Sequence, residues 1–187
     1  MSSLNNAKIL IMATDGFEQS ELMTPLNDLR DAGATVAIAT LDGKAIKGWD
    51  QSDWGKSVDA DLKISDVNAE DYICLVLPGG QINPDVLRTD KDAVQKVRDF
   101  VAADKIVAAI CHAPWLLIEA EVVKDREMTS YHSIRTDLRN AGANVVDKEV
   151  AISNGIITSR NPDDLPAFVA KIIEEVKEGE HKRNVAA

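Results

Sequence analysis

Short apolar runs alternate with amphipathic stretches along most of this chain. Residues 8–13, 34–40, 72–77 and 106–110 are apolar, too brief for buried helices, and read as buried strands. Residues 17–32 carry apolar positions at helical spacing and stop at Gly33, which suits the position just past a helix end. Pro25 inside this stretch predicts a kink or a late start to the regular helix. Residues 90–103, with Val94, Val97 and Val101 on one face, read as a second helix, and 133–141, stopped by Gly142, as a third. The final helix has the clearest start. Asn161 suits the N-cap, Pro162 the first turn, and Asp163 and Asp164 complement the helix dipole. Leu165, Phe168, Val169, Ile172, Ile173 and Val176 then form one apolar stripe.

The remaining segments are less periodic. Residues 41–61 are polar, contain Trp49 and Trp54, and read as a small hairpin near a sheet edge. Residues 128–130 make a short strand at most. Residues 145–146, 150–153 and 156–159 read as late strands, the last two joined by a turn at Asn154-Gly155. Strands alternating with helices imply parallel pairing with helices on both faces, an α/β doubly wound sandwich. One domain over 1–187 is expected, with its core at about 7–177 and a polar tail at 178–187. Ligands of such sheets bind at the carboxyl ends of the strands, where the turns after Ala13, Leu77 and Ile110 all lie.

Composition narrows the function classes. With 45% apolar residues in 187 the chain is globular. A net charge of −10 leaves no basic stripe for nucleic acid and disfavours anionic membranes. No apolar run reaches membrane-span length, and the N-terminus lacks a secretory pattern. Two cysteines, Cys74 and Cys111, in apolar surroundings suggest no disulfide framework and a reducing, cytoplasmic location. His112, His132 and His181 show no zinc spacing, and no Gly-x-Gly-x-x-Gly follows a strand, so neither metal nor cofactor is expected.

Cys111 carries the strongest chemical signal. It follows the apolar run 106–110 and precedes His112 and an apolar, helix-like Leu116, Leu117 and Ile118. A nucleophile at such a joint sits on a tight turn and needs small neighbours two residues either side, here Ala109 and Ala113. Backbone N–H groups at the start of the following helix stabilise a thiolate, which predicts a thiol pKa below the free value of about 8.5. The competing reading is an inert buried cysteine. Gly79 and Gly80 follow the third strand and offer N–H donors to an oxyanion, or are only a strand-ending turn. Glu18 follows the first strand; it is a protonated partner for the sulfur, or a solvated first-turn carboxylate. Cys74 reads as core. Trp49 and Trp54 line a pocket mouth or partner surface, or pin the hairpin.

Four blocks in order carry a family resemblance: Asp15-Gly16-Phe17-Glu18, Leu77-Pro78-Gly79-Gly80, Ala109-Ile110-Cys111-His112-Ala113-Pro114, and the segment from Thr158 through Arg160, Asn161 and Pro162 to Phe168. Together they resemble the PfpI branch of the DJ-1/PfpI superfamily over nearly the whole chain. The resemblance implies a flavodoxin-like sandwich that forms a homodimer, in some members a hexamer. It implies Cys111 as nucleophile, Glu18 as its protonated partner, and an oxyanion or substrate site around Gly79, Gly80 and Ala113. In peptidase-like members a neighbouring subunit's carboxylate orients the histidine after the cysteine; Asp85 is the matching position, one methylene shorter than the usual Glu. Tyr131 and His132 fall where relatives line the pocket, although a loop histidine is more often a surface residue.

The function implied is a stress-response protein whose cysteine acts, without cofactor, on small dicarbonyls or on the adducts they leave, in the manner of a glyoxalase or deglycase, and which is prone to protective oxidation. The alternatives are a PfpI-like intracellular cysteine peptidase and a non-enzymatic redox sensor. The partners expected are a second copy of the chain and a small carbonyl or peptide substrate. A glutamine amidotransferase, which shares the elbow, needs a late histidine that residues 150–170 lack.

Overall fold

The computed structural model describes residues 4–179; the first three residues and the tail from 180, with His181, lie outside the described residues. The chain runs β1 (Lys8–Met12), β2 (Phe17–Glu18), α1 (Gln19–Asp31), β3 (Thr35–Thr40), β4 (Ile46–Asp50), β5 (Asp53–Val58), β6 (Leu62–Lys63), β7 (Cys74–Leu77), α2 (Ile82–Leu87), α3 (Lys91–Ala102), β8 (Ile106–Ile110), α4 (Pro114–Glu119), β9 (Glu127–Met128), α5 (Arg135–Asn140), β10 (Asn144–Val145), β11 (Val150–Ser153), β12 (Ile156–Ser159) and α6 (Leu165–Glu178). A seven-stranded sheet has the order β11-β12-β8-β7-β1-β3-β6. Every pairing in it is parallel except β11 with β12, which form a hairpin through Asn154 and Gly155, both at positive φ. This is the expected flavodoxin-like α/β sandwich.

The sheet buries both faces, which is why β7 and β8 are apolar at every position. One face packs Ile9, Ile11, Val76, Ala108 and Ile110 against α1 and α6. The other packs Leu10, Met12, Leu75, Val107 and Ala109 against α3 and α4. Alternation along each strand decides which residue goes to which layer. The α3 helix starts where Asp90 accepts from the Ala93 N–H, one residue later than the apolar pattern suggested.

From β1 the chain winds outward through β3 to one edge, then returns to β7 and winds through β8 to the other. The strand order therefore reverses between β1 and β7, the place where parallel sheets open a crevice at their carboxyl ends. The polar segment 41–61 is a hairpin, as expected. Strands β4 and β5 join β2 in a separate three-stranded sheet, and Trp49 and Trp54 meet edge to face at 5.5 Å.

Three segments differ from the pattern-based reading. The first helix begins at Gln19, because Phe17 and Glu18 are extended and pair with Gly48 and Trp49. Pro25 sits within it, on its buried side. A short helix, α2, follows the glycine turn, where its six residues are too few to register a helical period. Asn161 caps a single 3-10 turn at Pro162–Asp164, and the regular helix starts only at Leu165.

Candidate active site

Cys111 is held on the strand-to-helix turn after β8 with φ +65, a left-handed conformation that costs a side-chain-bearing residue energy. Its neighbours fix it from both sides. The Cys111 N–H donates to the Ser159 carbonyl at 3.0 Å, and its own carbonyl accepts from Tyr131 N–H at 2.9 Å. The residue is only 5% exposed, and it faces a cavity of about 490 Å³. Gly16, Glu18, Trp49, Ile82 and Tyr131 help to line that cavity.

Gly79 and Gly80 come from the turn after β7, beside β8. A Cβ on Gly79 would collide with a Glu21 carboxyl oxygen, the Cys111 Cβ and the Ile110 carbonyl, so only glycine lets these groups meet. A Cβ on Gly80, which has φ +82, would run into the Gly16 carbonyl and the Glu18 nitrogen. The N–H groups of Gly80 and His112 both point at the sulfur. The Gly80 N–H is thus placed beside the sulfur. Ala113 is different: it is fully buried and its N–H donates to the Ile110 carbonyl at 3.0 Å, which leaves nothing to offer a substrate. Its role here is to be small in the layer shared with Leu116 and Leu117.

The carboxyl beside the sulfur belongs to Glu21, which corrects the expectation placed on Glu18. Glu18 ends β2 and caps α1, one of its carboxyl oxygens accepting from the Ser20 N–H at 3.2 Å and from the Ser20 hydroxyl. Its backbone N–H donates to the Gly79 carbonyl at 3.2 Å. One turn further on, Glu21 lies on the buried face of α1 with Leu22, Pro25 and Leu29. The Gly79 N–H donates to Glu21 Oε2 at 2.9 Å, which sets the carboxyl beside the Cys111 side chain, its other oxygen buried without a hydrogen-bond partner. A glutamate on an otherwise apolar helical stripe was the signal available in the sequence.

Burial pushes the Glu21 carboxyl up to about 8, the negative charge of Glu18 adds to this, and its hydrogen bonds with Cys111 and the Gly79 and Gly80 N–H groups pull the other way. Burial likewise pushes the Cys111 thiol up, followed by the charge of Glu21, against the Gly80 and His112 N–H groups. The elbow by itself therefore does not give the depressed thiol expected from the sequence. Both shifts favour the protonated forms, so sulfur and carboxyl titrate as one coupled site. When the proton is on Glu21, its charge no longer opposes the thiolate and its O–H donates to the sulfur.

His112 is buried beside the sulfur, with Nδ1 3.1 Å from Cys111 Sγ and Nε2 3.1 Å from the Ser133 hydroxyl. Its ring stacks on Tyr131 at 4.7 Å and meets Trp115 edge-on at 5.3 Å. Burial, then the charge of His132, hold its pKa below the usual histidine value, so the imidazole is neutral at neutral pH. A neutral ring that donates from Nδ1 to the sulfur accepts the Ser133 proton at Nε2. Tyr131 thus lies against His112 and lines the cavity. His132 lies behind it, exposed, ring to ring with Tyr131 at 4.3 Å. Asp85 is exposed on α2, and the hydrogen bond at His112 Nε2 is made by Ser133 instead. Neither Ser133 nor Glu21 was singled out in the sequence. Among the described residues no cluster of three or more His, Cys, Asp or Glu could hold a metal ion, and no helix is long and apolar enough to cross a membrane.

A buried cysteine on a left-handed strand-to-helix elbow, with a carboxyl beside it at the switch point of a doubly wound sheet, defines the class of α/β protein. The chain belongs to the DJ-1/PfpI family, whose profile matches residues 7–175. It is 44% identical over 162 residues to YraA of Bacillus subtilis, a name that carries the words cysteine protease, with 86% of this chain and 93% of that protein covered. It is 43% identical over 163 residues to protein/nucleic acid deglycase 2 of Escherichia coli, covering 86% of this chain and 92% of the relative. Among solved structures, Drosophila melanogaster DJ-1beta superposes with a TM-score of 0.82 at 30% identity, covering 92% of this chain and 94% of the other.

Proposed function

We propose that this chain is a stress-protective enzyme in which Cys111 attacks small dicarbonyls, or the adducts they leave on other molecules, without a cofactor. The observation that carries this reading is the Glu21 carboxyl, kept protonated to about pH 8 against the sulfur. A peptide bond demands a strong leaving-group acid and an extended cleft. An aldehyde demands only a thiolate, one proton to give and one to take back.

For methylglyoxal the steps balance as follows. The thiolate adds to the aldehyde carbon, and Glu21 gives its proton to the alkoxide, forming a hemithioacetal. The Glu21 carboxylate then removes the C1 hydrogen as a proton and passes it to the C2 oxygen, giving an enediol. The C1 hydroxyl proton moves by way of Glu21 to C2, giving a thioester, and water then displaces the thiolate to give lactate, one proton restoring Glu21 and one leaving. One methylglyoxal and one water become one lactate and one proton, with no net oxidation. The Gly80 and His112 N–H groups beside the sulfur are the donors this reading assigns to the developing oxyanion. On a glycated amine the same attack and proton transfer release the amine.

A thiolate in this position is also open to peroxide, so oxidation to the sulfinate fits the same site. The peptidase reading needs a carboxylate on His112. The single chain supplies Ser133 there, and Asp85 would have to come from a second copy in a homodimer or hexamer.

The test is lactate formation from methylglyoxal by wild type, Cys111→Ser and Glu21→Gln. Activity in the wild type, lost in both variants, supports the reading. Equal activity in Glu21→Gln and wild type removes it.

A further inference from the structure

The active-site cavity carries a charge that the chemistry above does not use. Glu18 lines it, and its second carboxyl oxygen is buried with no hydrogen-bond partner in the structure. The first is tied to Ser20, so the side chain is anchored and does not swing out to water. Opposing positive charge is missing. The lining residues are Gly16, Glu18, Glu21, Trp49, Gln81, Ile82, Tyr131 and Pro162 with the glycine and elbow residues, and none is Lys or Arg. The nearby Arg88, at the end of α2, stacks over the Trp115 ring and pairs with Glu119. His112 is neutral for the reasons given above. The N–H donors at the cavity floor are directed at Cys111.

We infer that Glu18 is a specificity-determining residue, a fixed negative charge that admits uncharged carbonyl compounds to Cys111 and rejects those bearing a carboxylate or phosphate. This rests on the reading that Cys111 takes up carbonyls, and it assigns their charge class. A carboxylate placed on the carbon next to the attacked aldehyde would sit in the same small space as Glu18 with no cation to offset it. At a separation of several Å in a partly solvated site, that repulsion is worth about tenfold in binding. The same charge leaves room for a ligand N–H or O–H at the unfilled oxygen.

The experiment compares glyoxal with glyoxylate, which differ by one carboxylate, as protectants of Cys111 against iodoacetamide, followed by mass spectrometry of the Cys111 peptide. The ratio of their half-protecting concentrations is referred to the same ratio for mercaptoethanol, an uncharged free thiol, which removes intrinsic aldehyde reactivity. Wild type is expected to favour glyoxal about tenfold beyond the free thiol. Glu18→Gln, which keeps an oxygen for Ser20, is expected to bring the preference within about threefold of it. Gln81→Lys, at the exposed cavity rim and away from the α1 cap, is expected to do the same by supplying a cation. A wild-type ratio equal to that of mercaptoethanol overturns the inference, as does a preference that neither variant changes. Failure of both aldehydes to protect Cys111 is a different result: it removes carbonyl uptake itself, and the charge filter with it.

Discussion

The two cysteines of this chain lie in and just beyond neighbouring strands of one sheet, and both are buried. Cys74 opens β7 in mid-sheet, paired with Ile9 and Ile106 and covered by the α1 and α6 face. Cys111 lies one residue past the end of β8, on a left-handed turn, with a carboxyl, an imidazole and two N–H groups around its sulfur. Burial is almost the same, 0% against 5%. What separates the two surroundings is the edge of the sheet, where backbone donors run out of partners and side chains from different strands converge.

The largest effect that tests this contrast is exchange of either sulfur for oxygen. Cys111→Ser is expected to lower carbonyl turnover by about 10³-fold or more, since a hydroxyl here has no base strong enough to ionise it. Cys74→Ser should leave turnover within about twofold but cost about 1–3 kcal/mol of stability by burying a hydroxyl. Chemical denaturation alongside lactate assays reads both. Loss of turnover in soluble, folded Cys74→Ser would break the comparison.

Next comes the proton. Glu21→Gln is expected to lower turnover by about 10²–10³-fold while the Cys111 turn keeps its shape. Peroxide treatment of the wild type should add two oxygens to Cys111 and none to Cys74, and Glu21→Gln should slow that oxidation.

The pH dependence follows with a smaller amplitude. Glu21 holds its proton in the fold up to about pH 8, whereas the unfolded chain releases it near the ordinary glutamate value of 4.5. Between those limits the unfolded state binds fewer protons from this group, so its contribution to stability falls as pH rises. Glu21→Gln removes that dependence. The variant should therefore gain on the wild type from pH 5 to 8, by at most about 1.4 kcal/mol per unit. Wild-type turnover should decline above about pH 8 as the carboxyl ionises.

The smallest effect is expected at Ser133. Ser133→Ala leaves His112 Nε2 without its donor and should reduce turnover about three- to tenfold and shift its pH profile. Ser133→Thr should restore both, because the hydroxyl is kept.

The sheet, the hairpin at 41–61 and the elbow were legible in the sequence because each depends on local pattern: short apolar runs, paired tryptophans, a cysteine between a strand and a helix. The partner of the sulfur was not. Choosing between Glu18 and Glu21 needs the helix phase, which depends on Phe17 and Glu18 being pulled into a strand by Gly48 and Trp49, some thirty residues on. Ala113 was implied as a donor by the family resemblance; its N–H is consumed inside the elbow. Ser133 reaches His112 only because the Tyr131 N–H binds the Cys111 carbonyl and draws the 3-10 turn over the histidine. Trp49, left open between two roles, lines the cavity, while Trp54 is 45% exposed.

The Glu18 N–H to Gly79 carbonyl bond and the Gly79 N–H to Glu21 bond stitch the ends of β1 and β7 together beneath a sulfur that arrives on β8. Three stretches separated by more than ninety positions must dock before that sulfur differs from any other thiol. A nascent or heat-opened chain thus presents two ordinary cysteines, and selective labelling of position 111 reports that the centre of the sheet has closed.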